Sequence, residues 1–279
     1  MTNKELESLI TKVLKEDIPQ KDITSESIIP EDHISKAHIL AKEEGVLAGL
    51  DVALMVFQCI NPSLRFQKKF KDGDEFKKGD ILTVLEGKTI SILKGERVAL
   101  NFLQRLSGIA TLTRKFVEAV KGTNTKILDT RKTTPGLRKL EKYAVRVGGG
   151  MNHRMSLSDM VLIKDNHLAV IGSIKEAIER AREKVGKEIK IEVEVKNIEE
   201  LKEAIEAGAD IVMLDNMNIS EIKKAVKIAK GKVPLEVSGK VNLDNVKKIA
   251  RTGVDFISIG MLTHSYKSID ISLEIVREI

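Results

Sequence analysis

The chain has 279 residues, 42% of them hydrophobic and 32% charged, with a formal net charge of +6. That composition suits one large or two modest globular domains with a sizeable core, and no apolar run approaches the roughly 20 residues that span a bilayer. Two tyrosines, seven phenylalanines and no tryptophan leave few stacking platforms for single-stranded nucleic acid, and most lysines alternate with glutamates as on solvated helix faces, so neither nucleic acid nor a membrane is an expected partner.

The opening "MTNKELESLITKVLKED" reads as a charged amphipathic helix, without the apolar stretch and cleavage site of a signal peptide. The one cysteine, Cys59, has no internal disulfide partner and no metal-ligand spacing, which makes the cytoplasm the expected compartment. From Ile34 to about Ile92 the pattern is strand-like. "KAHILAKEEGVLAG", "LRFQKKF", "DILTVLEG" and "KTISILKG" are separated by turn residues, with one helical segment, "LDVALMVFQCI". These make a small α+β domain over residues 1–105. From Gly95 the apolar spacing of "GERVALNFLQRLSGIATLTRKFVEAVKG" predicts a long helix.

Beyond it strands and helices alternate, the signature of βα units on a parallel sheet. The expected strands are Ile127–Asp129, Met160–Lys164, Ile189–Val195, Ile211–Leu214, Leu235–Ser238 and Phe256–Gly260. Helices such as "SIKEAIERAREKVG" and "NIEELKEAIEAG" end at Gly, as helix C-termini favour. The second domain is thus set at 106–279, with a C-terminal helix expected to pack back on the first. Its strands could close as an incomplete α/β barrel or stay open and doubly wound. The barrel is favoured because every expected strand ends in polar residues, and barrel enzymes build their sites on that face.

Those strand ends carry the chemistry. Glu194 and Asp215 end consecutive strands, and paired carboxylates beside phosphates suit Mg²⁺. Each could instead pair with a local lysine. Ser238, Gly239 and Gly260 follow the last two strands, where barrels often bind phosphate through backbone N–H groups and a helix N-terminus. Ordinary strand-to-helix turns favour the same residues. The cations are more telling. Arg131, Lys132, His153, Arg154 and Lys164 cluster near the first two strand ends, and such a group around one cavity implies an anion there. Lys164 also sits where an aldolase-like Schiff base would form, but Asp165 and nearby carboxylates should keep it protonated and binding.

In chain order, "ERVALNFLQRLSGIAT", "LDTRKTTPGLRKLEKYAVRVGGGMNHR", "LIKDNH", "IEVEV", "MLDNM", "LEVSGKVN" and "GVDFISIGMLTHS" resemble the signature of the quinolinate phosphoribosyltransferase (carboxylating nicotinate-nucleotide pyrophosphorylase) family. The resemblance runs from about Glu16 to the C-terminus. It implies an N-terminal sandwich-like domain followed by an incomplete, six-stranded α/β barrel. It implies Mg²⁺-dependent transfer of phosphoribosyl from 5-phosphoribosyl 1-diphosphate to quinolinate with loss of CO₂, giving nicotinate mononucleotide in NAD biosynthesis. It further implies a homodimer with shared active sites, or a hexamer assembled from such dimers. By motif position, Arg131, Lys132, His153, Arg154 and Lys164 would bind quinolinate and neighbouring phosphate. Glu194 and Asp215 would serve the Mg²⁺-phosphoribosyl side, directly or through water. Ser238, Gly239, Gly260 and His264 would surround the 5-phosphate, and Arg97 would reach in from the neighbouring subunit. Lys132, Lys164, Glu194 and Asp215 are the expected catalytic set. The main rival inside the resemblance is a paralogue associated with molybdate transport genes, and a nicotinate-specific enzyme would need fewer cations. The chain departs from the family pattern at Lys240, which stands in "SGKV" where a second glycine is usual.

Overall fold

Local signals account for the first elements. In the computed structural model, which describes residues 2–276, Thr2 caps a helix over Asn3–Asp17. Its hydroxyl accepts from the Glu5 N–H, and the Glu5 carboxylate accepts from the Thr2 N–H. This helix packs on a second, Leu50–Ile60, which buries most of its apolar residues, Phe57 completely. Five strands lie in this part of the chain, two before that helix and three after it: β1 (Ile34–Ala41), β2 (Gly45–Val46), β3 (Arg65–Lys68), β4 (Glu75–Phe76) and β5 (Ile81–Lys88). In β1 every second residue is buried, the period of a strand with one covered face. It pairs antiparallel with β5, which pairs antiparallel with β3, while β2 and β4 form a separate two-stranded ladder.

"KTISILKG" is not a strand, contrary to its β-branched composition. The helix Thr89–Ala119 begins there. The Thr89 side chain sits at the turn, hydrogen-bonded to Ser35 (2.7 Å) and the His33 ring (2.7 Å). Ile92 is fully buried. A Cβ on Gly95 would lie 2.5 Å from the Phe57 ring, so the helix passes too close to that ring for a side chain. Tertiary packing here overrides local strand propensity.

The second sheet has β6 (Lys126–Leu128), β7 (Val161–Ile163), β8 (Ile191–Val195), β9 (Ile211–Asp215), β10 (Leu235–Ser238) and β11 (Phe256–Ser258). All its pairings are parallel, in the order β6-β11-β10-β9-β8-β7. From β7 to β11 each strand lies beside the next in sequence. This single direction of winding belongs to a barrel, since a doubly wound sheet reverses. β6 and β7, at the two ends, are not paired with each other, so the barrel is incomplete. Three connecting helices carry polar N-caps: Ser173, Asn197 and Asn218 accept from Glu176, Glu200 and Glu221 N–H groups, respectively. Asp129, Lys164 and Gly260, expected as terminal strand residues, fall just past the ends of β6, β7 and β11.

The expected C-terminal helix is instead a strand, β12 (Ile271–Ile275), antiparallel to β1 along Ala37–Ala41. Its sequence, "ISLEI", alternates apolar and polar residues, which fits an edge strand better than a helix. The chain forms two compact units whose segments interleave. One compact unit holds residues through Leu112, Lys139–Gly148 and those from Tyr266 on; the other holds Thr113–Arg138 and Gly149–Ser265. The inserted helix, Arg138–Val147, places fully buried Glu141 beside Arg105, whose Nη2 lies 2.5 Å and Nε 3.0 Å from the same carboxylate oxygen. An arginine and a buried glutamate so paired tie that helix to the first unit. Among the described residues no helix is long and apolar enough to cross a membrane.

Candidate active site

The C-terminal ends of β6 to β11 surround a cavity of about 750 Å³. Its cationic wall is anchored by a residue that does not itself line the cavity. Asp129, fully buried just past β6, accepts from the His153 N–H (2.9 Å) and the Asn152 side-chain amide (2.5 Å). These bonds, with a parallel bridge between Leu128 and Met151, dock the glycine-rich "GGGMNHR" segment onto the strand end. Arg131, Lys132, His153, Arg154 and Lys164 all line the cavity. Arg131 Nε is buried without a hydrogen-bond partner among the described residues, a donor that an anion would satisfy. Burial and then the neighbouring Arg131 charge hold Arg154 below the usual guanidinium range. Two guanidiniums crowded in this way form a site for negative charge.

Glu194 and Asp215 also line the cavity. The strand register, however, places Met213 opposite Glu194, so Asp215 stands one inward-facing step further along rather than at an equivalent position. Glu194 pairs with Lys164, Nζ to Oε2 3.3 Å, whereas Lys196 of the same "EVEVK" stretch turns to Asp165 at 3.4 Å. The carboxylate that holds Lys164 is therefore Glu194, not Asp165. Asp215 has no ion pair among the described residues; its contact is with the neighbouring Asn216 side chain, 2.8 Å away.

Ser238, Gly239, Lys240, Gly260 and His264 line the cavity past β10 and β11. Two close approaches explain its glycines. A Cβ on Gly239, whose φ is +93°, would lie 2.4 Å from Asn216 Oδ1. A Cβ on Gly260 would meet Lys132 Cδ at 3.0 Å and His264 Nε2 at 3.1 Å. Lys240 keeps the left-handed backbone (φ +50°) that a glycine would take freely, at a cost of roughly 1–2 kcal/mol for a residue with a side chain. The helices after β10 and β11, Val246–Ala250 and Met261–His264, are only one turn or so long.

Two residues at the floor escaped the sequence reading. Glu192 and Glu236 are 0% and 1% exposed. His153 Nε2 lies 2.9 Å from Glu192 Oε2 and 3.5 Å from Glu236 Oε2. Burial, reinforced by the negative charge of Glu192, pushes the Glu236 carboxyl up to about 8, against smaller opposing effects of His153, the Ser258 hydroxyl and Lys164. His153, which also lines the cavity, turns Nε2 toward these acids, and its Nδ1 accepts from the Arg154 N–H at 2.8 Å. A period of two would have found both glutamates. Glu192 and Glu236 stand two residues before the cavity residues Glu194 and Ser238, on the same strand faces.

Eleven of the twelve candidate residues thus line one cavity. Arg97 does not. It lies on the helix Thr89–Ala119 in the other unit, its side chain 60% exposed and 3.8 Å from Glu96.

Family models for the quinolinate phosphoribosyl transferase N-terminal and C-terminal domains match residues 22–107 and 109–274. A probable nicotinate-nucleotide pyrophosphorylase (carboxylating) of Bacillus subtilis is 45% identical over 275 residues, covering 99% of this chain and 95% of its own. Quinolinate phosphoribosyltransferase (decarboxylating) 1b of Nicotiana tabacum is 42% identical, covering 99% and 83%. The crystal structure of NadC from Streptococcus pyogenes superimposes with a TM-score of 0.95 at 42% identity, covering 99% of both chains. Both family models in order, and relatives matched over nearly their whole length, show that the chain belongs to the quinolinate phosphoribosyltransferase family.

Proposed function

We propose that the chain joins quinolinate to 5-phosphoribosyl 1-diphosphate, releasing pyrophosphate and CO₂ and forming nicotinate mononucleotide for NAD synthesis. The observation that carries this reading is the cationic wall, above all the buried, unsatisfied Arg131 Nε beside Arg154. Paired guanidiniums match the two carboxylates of quinolinate better than the single one of nicotinate.

The reaction forms a bond from the pyridine nitrogen to ribose C1 as the bond from C1 to pyrophosphate breaks. The sugar then resembles an oxocarbenium ion. Glu194 and Asp215 are on hand to stabilise its positive charge, and Lys132, Lys164 and Lys240 to hold the departing diphosphate. Loss of CO₂ leaves an electron pair on the ring carbon beside the quaternised nitrogen, which stabilises it until a proton arrives. No covalent nucleophile is needed, and the residues act by placement and charge. Mg²⁺ fits the oxygen donors present: Asp215, without an ion pair, and Glu194, shared with Lys164, would hold it directly or through water. When bound, the ion would supply neutralising charge to the diphosphate. Ser238, Gly239, Gly260 and His264 would enclose the 5-phosphate. A homodimer in which Arg97 of one copy serves the cavity of the other accounts for that residue's place outside the cavity. The single free cysteine supports a cytoplasmic location.

Purified protein given quinolinate, 5-phosphoribosyl 1-diphosphate and Mg²⁺ should yield nicotinate mononucleotide, and should yield none with nicotinate in place of quinolinate. A folded protein inert toward quinolinate would shift the reading to another nitrogenous acceptor, as in the paralogue associated with molybdate transport.

A further inference from the structure

Lys132 lines the cavity, yet among the described residues it has no ion pair, whereas Lys164 is held by Glu194 at 3.3 Å. Its N–H donates to the Thr130 hydroxyl (3.1 Å) and the Thr133 N–H to the Arg131 carbonyl (2.9 Å), bonds that close within the loop after β6. The tie from Lys132 to another strand end is Thr263. Its hydroxyl lies 2.8 Å from the Lys132 carbonyl oxygen and 3.3 Å from that of Gly260. A carbonyl can only accept, so the hydroxyl donates. The Gly260 oxygen already accepts from the Thr263 and His264 N–H groups (3.1 and 3.2 Å), which leaves the hydroxyl proton to Lys132. Thr263 is 1% exposed and does not line the cavity. It sits beyond the β6–β11 ladder, which the Ile259 N–H extends to the Leu128 carbonyl (2.9 Å), and so joins the two strand ends where their backbones part. The Lys132 stem then crosses Gly260, where a Cβ would meet its Cδ at 3.0 Å.

We propose that Thr263 is a positioning residue: by holding the Lys132 carbonyl, it fixes the backbone from which the Lys132 ammonium reaches across Gly260 toward the departing diphosphate. The inference deepens the reading above and rests on it. An exposed lysine loses rotamer freedom when it meets its ligand, and a loop free to shift adds backbone freedom to that cost. A buried bond to the neighbouring strand end removes part of the cost before the diphosphate arrives. Quinolinate, whose carboxylates match the guanidiniums of Arg131 and Arg154, should be affected less.

Two substitutions separate this role from a structural one. Thr263→Val keeps the shape of the side chain and removes its proton, while Thr263→Ser keeps the proton and removes a methyl. In Thr263→Val, kcat/KM for 5-phosphoribosyl 1-diphosphate should fall about tenfold, the effect of one hydrogen bond, with KM for quinolinate changed by less than about twofold. Thr263→Ser should recover most of that loss even where its Tm is no higher. Calorimetry with inorganic pyrophosphate and Mg²⁺ should show a similar weakening in Thr263→Val, and the substitution should cost nothing further in a Lys132→Met background. Equal pyrophosphate affinity in Thr263→Val and the wild type would overturn the proposal. So would activity that follows Tm alone across the two variants, or an undiminished loss in the Lys132→Met background. Pyrophosphate binding needs no acceptor, so if quinolinate proves not to be the substrate, the calorimetry still decides whether Thr263 places Lys132.

Discussion

At the scale of single residues, charge follows placement. Glu236 lies within a strand that reads "LEVS", and Glu192 within "IEVEV". In a half-solvated strand such alternation marks the wet face, whereas in a barrel the same period points into the interior. Sequence therefore exposed the rim cations, which stand out as polar residues where strands end, and concealed the acids below them. The consequence for stability has a definite sign. The folded chain keeps a proton on Glu236 up to about 8, while the unfolded chain releases it near the ordinary 4.5. Between those values unfolding releases a proton, so this group lowers stability progressively as pH rises. The Tm of Glu236→Gln should therefore gain on that of the wild type from pH 5 to pH 8. Differential scanning calorimetry that shows a constant gap would mean that Glu236 ionises normally.

At the scale of elements, the barrel strands were legible to within about two residues because apolar runs, polar strand ends and polar helix caps all marked the same places. "KTISILKG" and the C-terminal segment were misread because their local composition is ambiguous and long-range packing decides. The same packing makes a sharp prediction in the helix Thr89–Ala119. A Cβ on Gly108 would lie 2.3 Å from the Lys267 carbonyl oxygen, and backbone cannot yield as a side-chain tip can. Gly108→Ala, which intrinsic helix propensity would favour, should instead destabilise the protein by about 1–3 kcal/mol. Urea unfolding measures this directly, and a variant as stable as the wild type would refute the close approach.

At the scale of the whole molecule, the proposed assembly has a test that a single active chain could not mimic. Subunits carrying Arg97→Ala and subunits carrying Arg131→Ala should each be inactive, and mixing them with subunit exchange should restore part of the activity through one intact hybrid site. Mixed dimers that form and stay dead would rule out sharing. The expectation of an oligomer comes only from family resemblance, because nothing in one chain's residue pattern records what a second copy would contribute. The pairing of β12 with β1 has a different kind of consequence, one in time. The first sheet joins strands more than 200 residues apart, Ile34–Ala41 and Ile271–Ile275, and synthesis proceeds from one end only. β1 must wait, with an edge free to pair wrongly, until all six strands of the second sheet have been made, although β5 and β3 are long since at hand. Folding of the earliest-made sheet is therefore completed by a strand that emerges after the whole second sheet, and a nascent chain stalled before Ile271 leaves that edge open to aggregation or chaperones.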